Sequence, residues 1–431
     1  MNRFLLNSLI LLLTTTHIAF GQQVKKAEAG NFLIKNTTIH TITQGTIKGD
    51  ILIEDGRIAN VGSGIVSKEA RVIDGTNKHV YPGMIDSGSR LGLQEIGSIS
   101  LTKDFSELGD FVPQMKALTA VNPYSVSIPV TRVNGVTTVF AKPQGGTFPG
   151  TGAVIDLFGY TPEQMSAGAE GVIMQFPSTG RRHRWDSRTD EDISKDAEKA
   201  IAKINDMWNE ILAYKKIDSI AKATRTVWDN YNPQMQAMMP VAYGKNPLFI
   251  EVNAKNDIEA ALQWVKDKNI KAVFMGVSEG WRIADKIAQA GIPVITGPVL
   301  DLPGREYHRY DASYTNAGIM TKAGVKVAIR TNDAENTRNL PFNAGFAAAY
   351  GMGIEEALKA VTIHPAQIFG IDKMYGSIEK GKVANLVVAT GDLFETSTHI
   401  DYLFIRGWNV PLESRHTLLN DEFSERTPGL K

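Results

Sequence analysis

Four apolar runs in this 431-residue chain stop on side chains that could do chemistry. VAIRTNDAEN ends in Asn332, Asp333 and Asn336, and Asp333 keeps a carboxylate available for proton transfer. YPGMIDSGSR ends in Arg90, GVTTVFAK in Lys142, and PLFIEVN in Asn253. A guanidinium offers five N–H donors in a planar fork that grips a carboxylate with two parallel bonds. Arg90 and Lys142 together therefore suggest a site for an oxyanion or carboxylate, with Asn253, Asn332 and Asn336 adding amide hydrogen bonds. Blander readings stand beside these. Arg90 could be a structural cation paired with Asp86 or Glu95, Lys142 a solvated strand end, and Asp333 a loop cap, since Asp and Asn are ordinary turn residues.

Metal chemistry has little to work with. The chain has no Cys, which excludes thiolate ligands and disulfides. Its eight His are dispersed, the nearest pair being His399 and His416, so neither H-x-H nor H-E-x-x-H occurs. Asp86, Glu251 and Asp333 could hold Mg²⁺ or Ca²⁺ if they converged, because hard cations prefer oxygen. That reading is set aside: Glu251 shares a strand face with Asn253, and nothing in the sequence brings the three together. His364 in TIHPAQ reads as structural, and His183 lies in a basic loop with Arg181, Arg182 and Arg184 that reads as exposed charge.

The elements that position these residues alternate. After GVTTVFAK come strand-like GVIMQF, PLFIEV, KAVFMGV, IPVITG and VKVAIRT, with helix-like segments between them. Asn256 and Glu259 have the spacing of a capping box, Glu279 suits the first turn of a helix over 279–290, and Gly291 should end that helix. Continuously apolar strands alternating with helices imply a parallel sheet covered on both faces, and about eight strand slots favour a (β/α)₈ TIM-type barrel over an open sheet. Both ends of the chain are instead rich in short strands and turns, notably at Asp55-Gly56, and should pair into a small β-sandwich. The expected division is a signal peptide over 1–21, a discontinuous sandwich from 22–81 and 376–431, and a barrel over 82–375 with a helical excursion at 190–231. The leader follows from Arg3, the apolar run Phe4–Leu13 and the small residues around Ala19–Gly21, and implies export to the periplasm or beyond. Basic and acidic residues balance at 46 each without a long run of either sign, which argues against nucleic acid as a partner.

The order and spacing of GDILIEDGRIANVG, VYPGMIDSG, GVTTVF, KIAQAGIPV, AGVKVAI, YGMGIEEALKAVTIHPAQIFGI and GSIEKGKVANLVV resemble the amidohydrolase superfamily, in its imidazolonepropionase-like branch. The resemblance implies a metal-dependent barrel that hydrolyses C–N bonds of non-peptide amides. It also implies two His on the first barrel strand, further His on strands five and six, and an Asp at the end of strand eight. Here those places hold Gly88 and Arg90, Asn253, the His-free stretch Gly276–Glu279, and Asn332 or Asp333.

Two readings follow. One is an exported hydrolase built on Asp333, which would use Zn²⁺ or another divalent metal. The other is a catalytically silent relative that needs no cofactor and binds a small anionic or amide-containing ligand, or a partner, at the barrel mouth. Neither expects stable membrane insertion after the leader is removed. A homo-oligomer whose second copy supplies missing groups stays open.

Overall fold

A computed structural model describes residues 25–178, 187–224, 231–305 and 307–425; the expected leader and the basic loop around His183 lie outside these residues. The first strands are Phe32–His40 (β1), Thr46–Glu54 (β2), Arg57–Gly62 (β3), Arg71–Asp74 (β4) and His79–Pro82 (β5). Asp55 and Gly56, at φ +50° and +76°, make the tight turn between β2 and β3. That pair of positive φ values matches the right-handed twist of the flanking strands. Late in the chain, after the barrel strands β6–β13, come Leu386–Ala389 (β14), Ile400–Ile405 (β15) and Trp408–Val410 (β16). The sheet runs β16-β15-β14-β5-β1-β2-β3 with β4 beside β1, so β5 and β14 join the two chain ends.

The second sheet contains Met84–Ser89 (β6), Val136–Ala141 (β7), Gly150–Asp156 (β8), Ser166–Gln175 (β9), Leu248–Val252 (β10), Ala272–Gly276 (β11), Val294–Thr296 (β12) and Val327–Ile329 (β13), in that spatial order. It is the expected TIM-type barrel with one departure. β8 runs antiparallel to both neighbours. Only residues 142–149 separate β7 from β8, too short for the crossover that a parallel pair requires. The circle closes where the Asn332 N–H donates to the Gly88 carbonyl (2.9 Å) and the Arg90 N–H to that of Asp333 (3.1 Å).

Side chains repeat every two residues along a strand, so the barrel interior fills in layers. Phe140, Phe249 and Ala328 belong to a buried apolar cluster with Ile85, Val273 and Ile295. Two residues further on stand Lys142, Glu251 and Arg330, and two beyond those, Asn253 and Asn332. An apolar floor, a charged middle and an amide rim are thus written into Phe-x-Lys, Phe-x-Glu-x-Asn and Ala-x-Arg-x-Asn.

The excursion is a flank. Helix Asp190–Thr224 buries Ile204, Trp208, Ile211 and Tyr214, and Trp208 meets Trp264 of helix Lys255–Lys268 at 6.1 Å. The capping box expected at Asn256 does not form: the cap position falls two residues earlier, at Ala254, and the Lys255 N–H donates to Glu279 from the neighbouring loop (2.9 Å). Glu279 therefore satisfies another helix's orphan donor, not its own segment's first turn. Gly291, at φ +66°, ends helix Ala284–Ala290 as expected.

Candidate functional site

The charged layer is built around one carboxylate. Glu251 accepts two parallel bonds from Arg330, one at 2.7 Å from Nη1 and a shorter one from Nη2, and a third from Lys142 Nζ at 3.3 Å. Arg330 and Lys142 are each 2% exposed. Burial alone would raise the Glu251 carboxyl, but the Arg330 and Lys142 charges override it and hold the group well below the usual carboxylate range. Burial pulls the Lys142 amine below its ordinary value, Glu251 opposes that, and Arg330 and Arg90 add to it. Lys142 is neither a solvated strand end nor a free second cation beside Arg90. Its stem runs inward from the end of β7, so it contributes field and not a surface contact.

Asp86 lies beneath this layer with no exposed surface. Its oxygens accept the Gly88 N–H (2.9 Å), the Thr331 hydroxyl (2.5 Å) and the Thr331 N–H (3.2 Å). Burial pushes its carboxyl up to about 7, against those hydrogen bonds and the Arg330 charge.

Arg90 stands at the rim, half-buried. Neither carboxylate proposed as its structural partner is available, since Asp86 is committed as above and Glu95 accepts from Asn122 and Ser125. Its guanidinium sits 5.3 Å over the Phe105 ring, and its Nε is buried without a hydrogen-bond partner among the described residues. Asn253 and Asn332 share the rim, and among the described residues neither side chain has a hydrogen-bond partner. The Asn253 amide lies against Gly276, where an added Cβ would meet its Oδ1 at 2.3 Å. Asn332 holds φ +54°, which turns the chain out of β13.

Asp333 and Asn336 do something else. The Asp333 carboxylate caps the turn by accepting the Asn336 N–H (3.1 Å), and its carbonyl accepts from the Ser89 and Thr337 hydroxyls. Asn336 is exposed and its amide oxygen faces Asn339. The structure brings Arg90, Lys142, Asn253 and Asn332 to one mouth and leaves these two on its outer edge.

Sequence reasoning missed Arg330. Its direction follows once the register is fixed: Arg330 stands two residues after inward-facing Ala328. His364, by contrast, is structural as read, with Nδ1 2.9 Å from the Val327 carbonyl.

Whether a metal fits can be tested on the same residues. Among the described residues no three His, Cys, Asp or Glu side chains form a group able to hold one. A Cβ at Gly88 would stand 3.0 Å from Arg330 Cδ and 3.3 Å from Met275 Cε. The Arg330 stem thus occupies the space into which a ligand from that position would project. Guanidinium and ammonium groups have no lone pair to donate while charged. The residues do not fit a transition-metal centre.

Residues 306–410 match the family model for the amidohydrolase family. The imidazolonepropionase of Symbiobacterium thermophilum is 30% identical over 141 residues, 32% of this chain and 31% of that protein. The imidazolonepropionase of Acinetobacter baumannii is 34% identical over 91 residues, 20% of this chain and 22% of that protein. The matches thus span under a third of these curated relatives. Similarity of structure extends further. An amidohydrolase from Thermotoga maritima superimposes with a TM-score of 0.78 at 26% identity, covering 88% of this chain and 99% of that one. Molinate hydrolase, at a TM-score of 0.53 and 16% identity, shares the fold alone.

Proposed function

The chain belongs to the amidohydrolase superfamily, and from that premise we propose that it is an exported member whose barrel mouth binds a small carboxylate-bearing ligand without a metal. The observation that carries this reading is the Arg330 side chain. Held by Glu251 and packed against Gly88, it fills the inner mouth with a permanent cation. Arg330 and Lys142 bring two positive charges, Glu251 returns one negative, and Arg90 adds a third positive at the rim; Asp86 and the turn-bound Asp333 offset part of this. The mouth is therefore electropositive where membership implies a divalent ion, and an anionic group is the complementary guest.

Arg90 makes the contact. Its guanidinium, without an ion-pair partner among the described residues, can hold a carboxylate with two bonds, while Asn253 and Asn332 supply amide donors and acceptors for the rest of the ligand. The hydrolase-like ancestry favours guests shaped like an amide or the acid that its cleavage yields. Hydrolysis itself lacks support from this layer, because Asp333 is engaged in a turn and the interior cations are tied to Glu251. The leader-like residues 1–21 support export as part of the same reading.

Thermal denaturation with a series of small carboxylates tests it. A ligand that binds only the folded state at a hundred times its Kd stabilises by about 2.7 kcal/mol. Stabilisation by carboxylates that disappears in Arg90→Ala is the expected result. The same response in Arg90→Ala, or no response in the wild type to any carboxylate or carboxamide, would overturn the proposal.

A further inference from the structure

A wide groove lies on the opposite face of the barrel from the mouth. It encloses about 1240 Å³ between the starts of β10–β13 and the ends of three helices, Lys255–Lys268, Ala284–Ala290 and Ile363–Ile368. Five lysines line it: Lys245, Lys266, Lys271, Lys286 and Lys326. Two glutamates share it, and both have partners: Glu259 pairs with Lys286, and Glu170 with Lys116 outside the groove. Lys245, Lys266, Lys271 and Lys326 form no ion pair among the described residues.

The simplest account is that these ammonium groups offset the helix ends. Asn269, Gly291 and Gly370, just beyond the three helices, all line the groove. Each helix C-terminus carries about half an elementary negative charge, roughly 1.5 in total. Four unpaired lysines exceed that by more than two charges, so the account leaves most of the field unexplained.

The placement is regular as well. Lys271 and Lys326 immediately precede β11 and β13, and their carbonyls accept from Leu248 of β10 and Val294 of β12. β12 lies between β11 and β13, so the two lysines leave the main chain about 10 Å apart. Lys245 precedes β10 on the same face, and Lys266 reaches in from the last turn of helix Lys255–Lys268. Several unpaired ammonium groups around one groove are matched best by a guest that carries more than one negative group. We propose that this groove binds a small multivalent anion carrying two or more phosphate or carboxylate groups.

Titration calorimetry of the full chain at low ionic strength, with tripolyphosphate, citrate and acetate as separate probes, tests the site. In Arg90→Ala, where the mouth no longer competes, saturable binding of one tripolyphosphate or one citrate per chain is expected, without binding of acetate; which polyanion binds tells phosphate from carboxylate. In that background Lys271→Glu with Lys326→Glu should weaken the binding at least tenfold. Both lysines are exposed, and Lys271→Gln with Lys326→Gln gives a milder form of the same loss if charge reversal impairs folding. The proposal falls if neither polyanion saturates Arg90→Ala, or if the lysine variants bind as tightly as their Arg90→Ala parent. It falls equally if the binding depends on Arg90, which would move the ligand to the mouth.

Discussion

Replacing Arg330 by Met should remove the two-bond contact with Glu251 while roughly keeping side-chain volume. Losing one partner of a buried ion pair costs about 3–5 kcal/mol, because the other charge stays desolvated. Lys142, 3.3 Å from the same carboxylate, limits the damage, so a cost near the lower end, about 3 kcal/mol, is expected. Glu251→Gln should cost more, towards the upper end, because it strands two buried cations. The double variant then leaves Lys142 facing an amide, and its cost should fall short of the sum of the singles by about 2–3 kcal/mol. Urea unfolding at pH 7 followed by tryptophan fluorescence measures all four corners of the cycle. Single variants that cost under about 1 kcal/mol, or that add within about 0.5 kcal/mol, would refute the idea that these side chains act as one buried unit.

Asp86 makes stability depend on pH. Its raised folded-state pKa, about 7 against an ordinary 3.8, lets the folded chain keep a proton that the unfolded chain has lost. Its contribution is therefore fully present below pH 4 and fades as pH rises towards 7. The wild type should lose about 2 kcal/mol more than Asp86→Asn between pH 5 and 7 in parallel unfolding curves, and equal slopes would contradict this. Gly88→Ala should cost about 1–3 kcal/mol by overpacking against Arg330, and markedly less in an Arg330→Ala background. Melting curves showing the same cost in both backgrounds would mean that the Arg330 stem does not fill that space. Intact mass of the exported protein should begin near Gln22; a chain that retains residues 1–21 after export would refute the leader assignment.

Much of the fold was legible because the local signals agreed with the global arrangement. Apolar strands with intervening helices gave the barrel, and Asp55-Gly56 gave a hairpin in the sheet shared by the chain ends. β8 was missed because its GTGAVID run is short and rich in small residues, which carry little strand signal. The site was legible only in outline. Gly88 and Arg90 stand where the resemblance implies His, but the main interior cation is Arg330, from the far side of the closure. Assigning it required knowing which face of β13 points inward, and Ala328 supplies that only once the barrel register is fixed. The capping error at Asn256 has the same origin: Glu279, distant in sequence, is brought close by adjacent strands β10 and β11 and satisfies the donor first.

The central claim is that organic cations occupy the place of a metal at this mouth. Elemental analysis of protein purified without chelators, after equilibration with zinc and removal of excess, tests it most directly. The expected result is no transition metal retained per chain, in the wild type and in Arg90→Ala alike. One retained zinc or manganese per chain, lost on substitution of Asp86, Glu251 or Asp333, would contradict it.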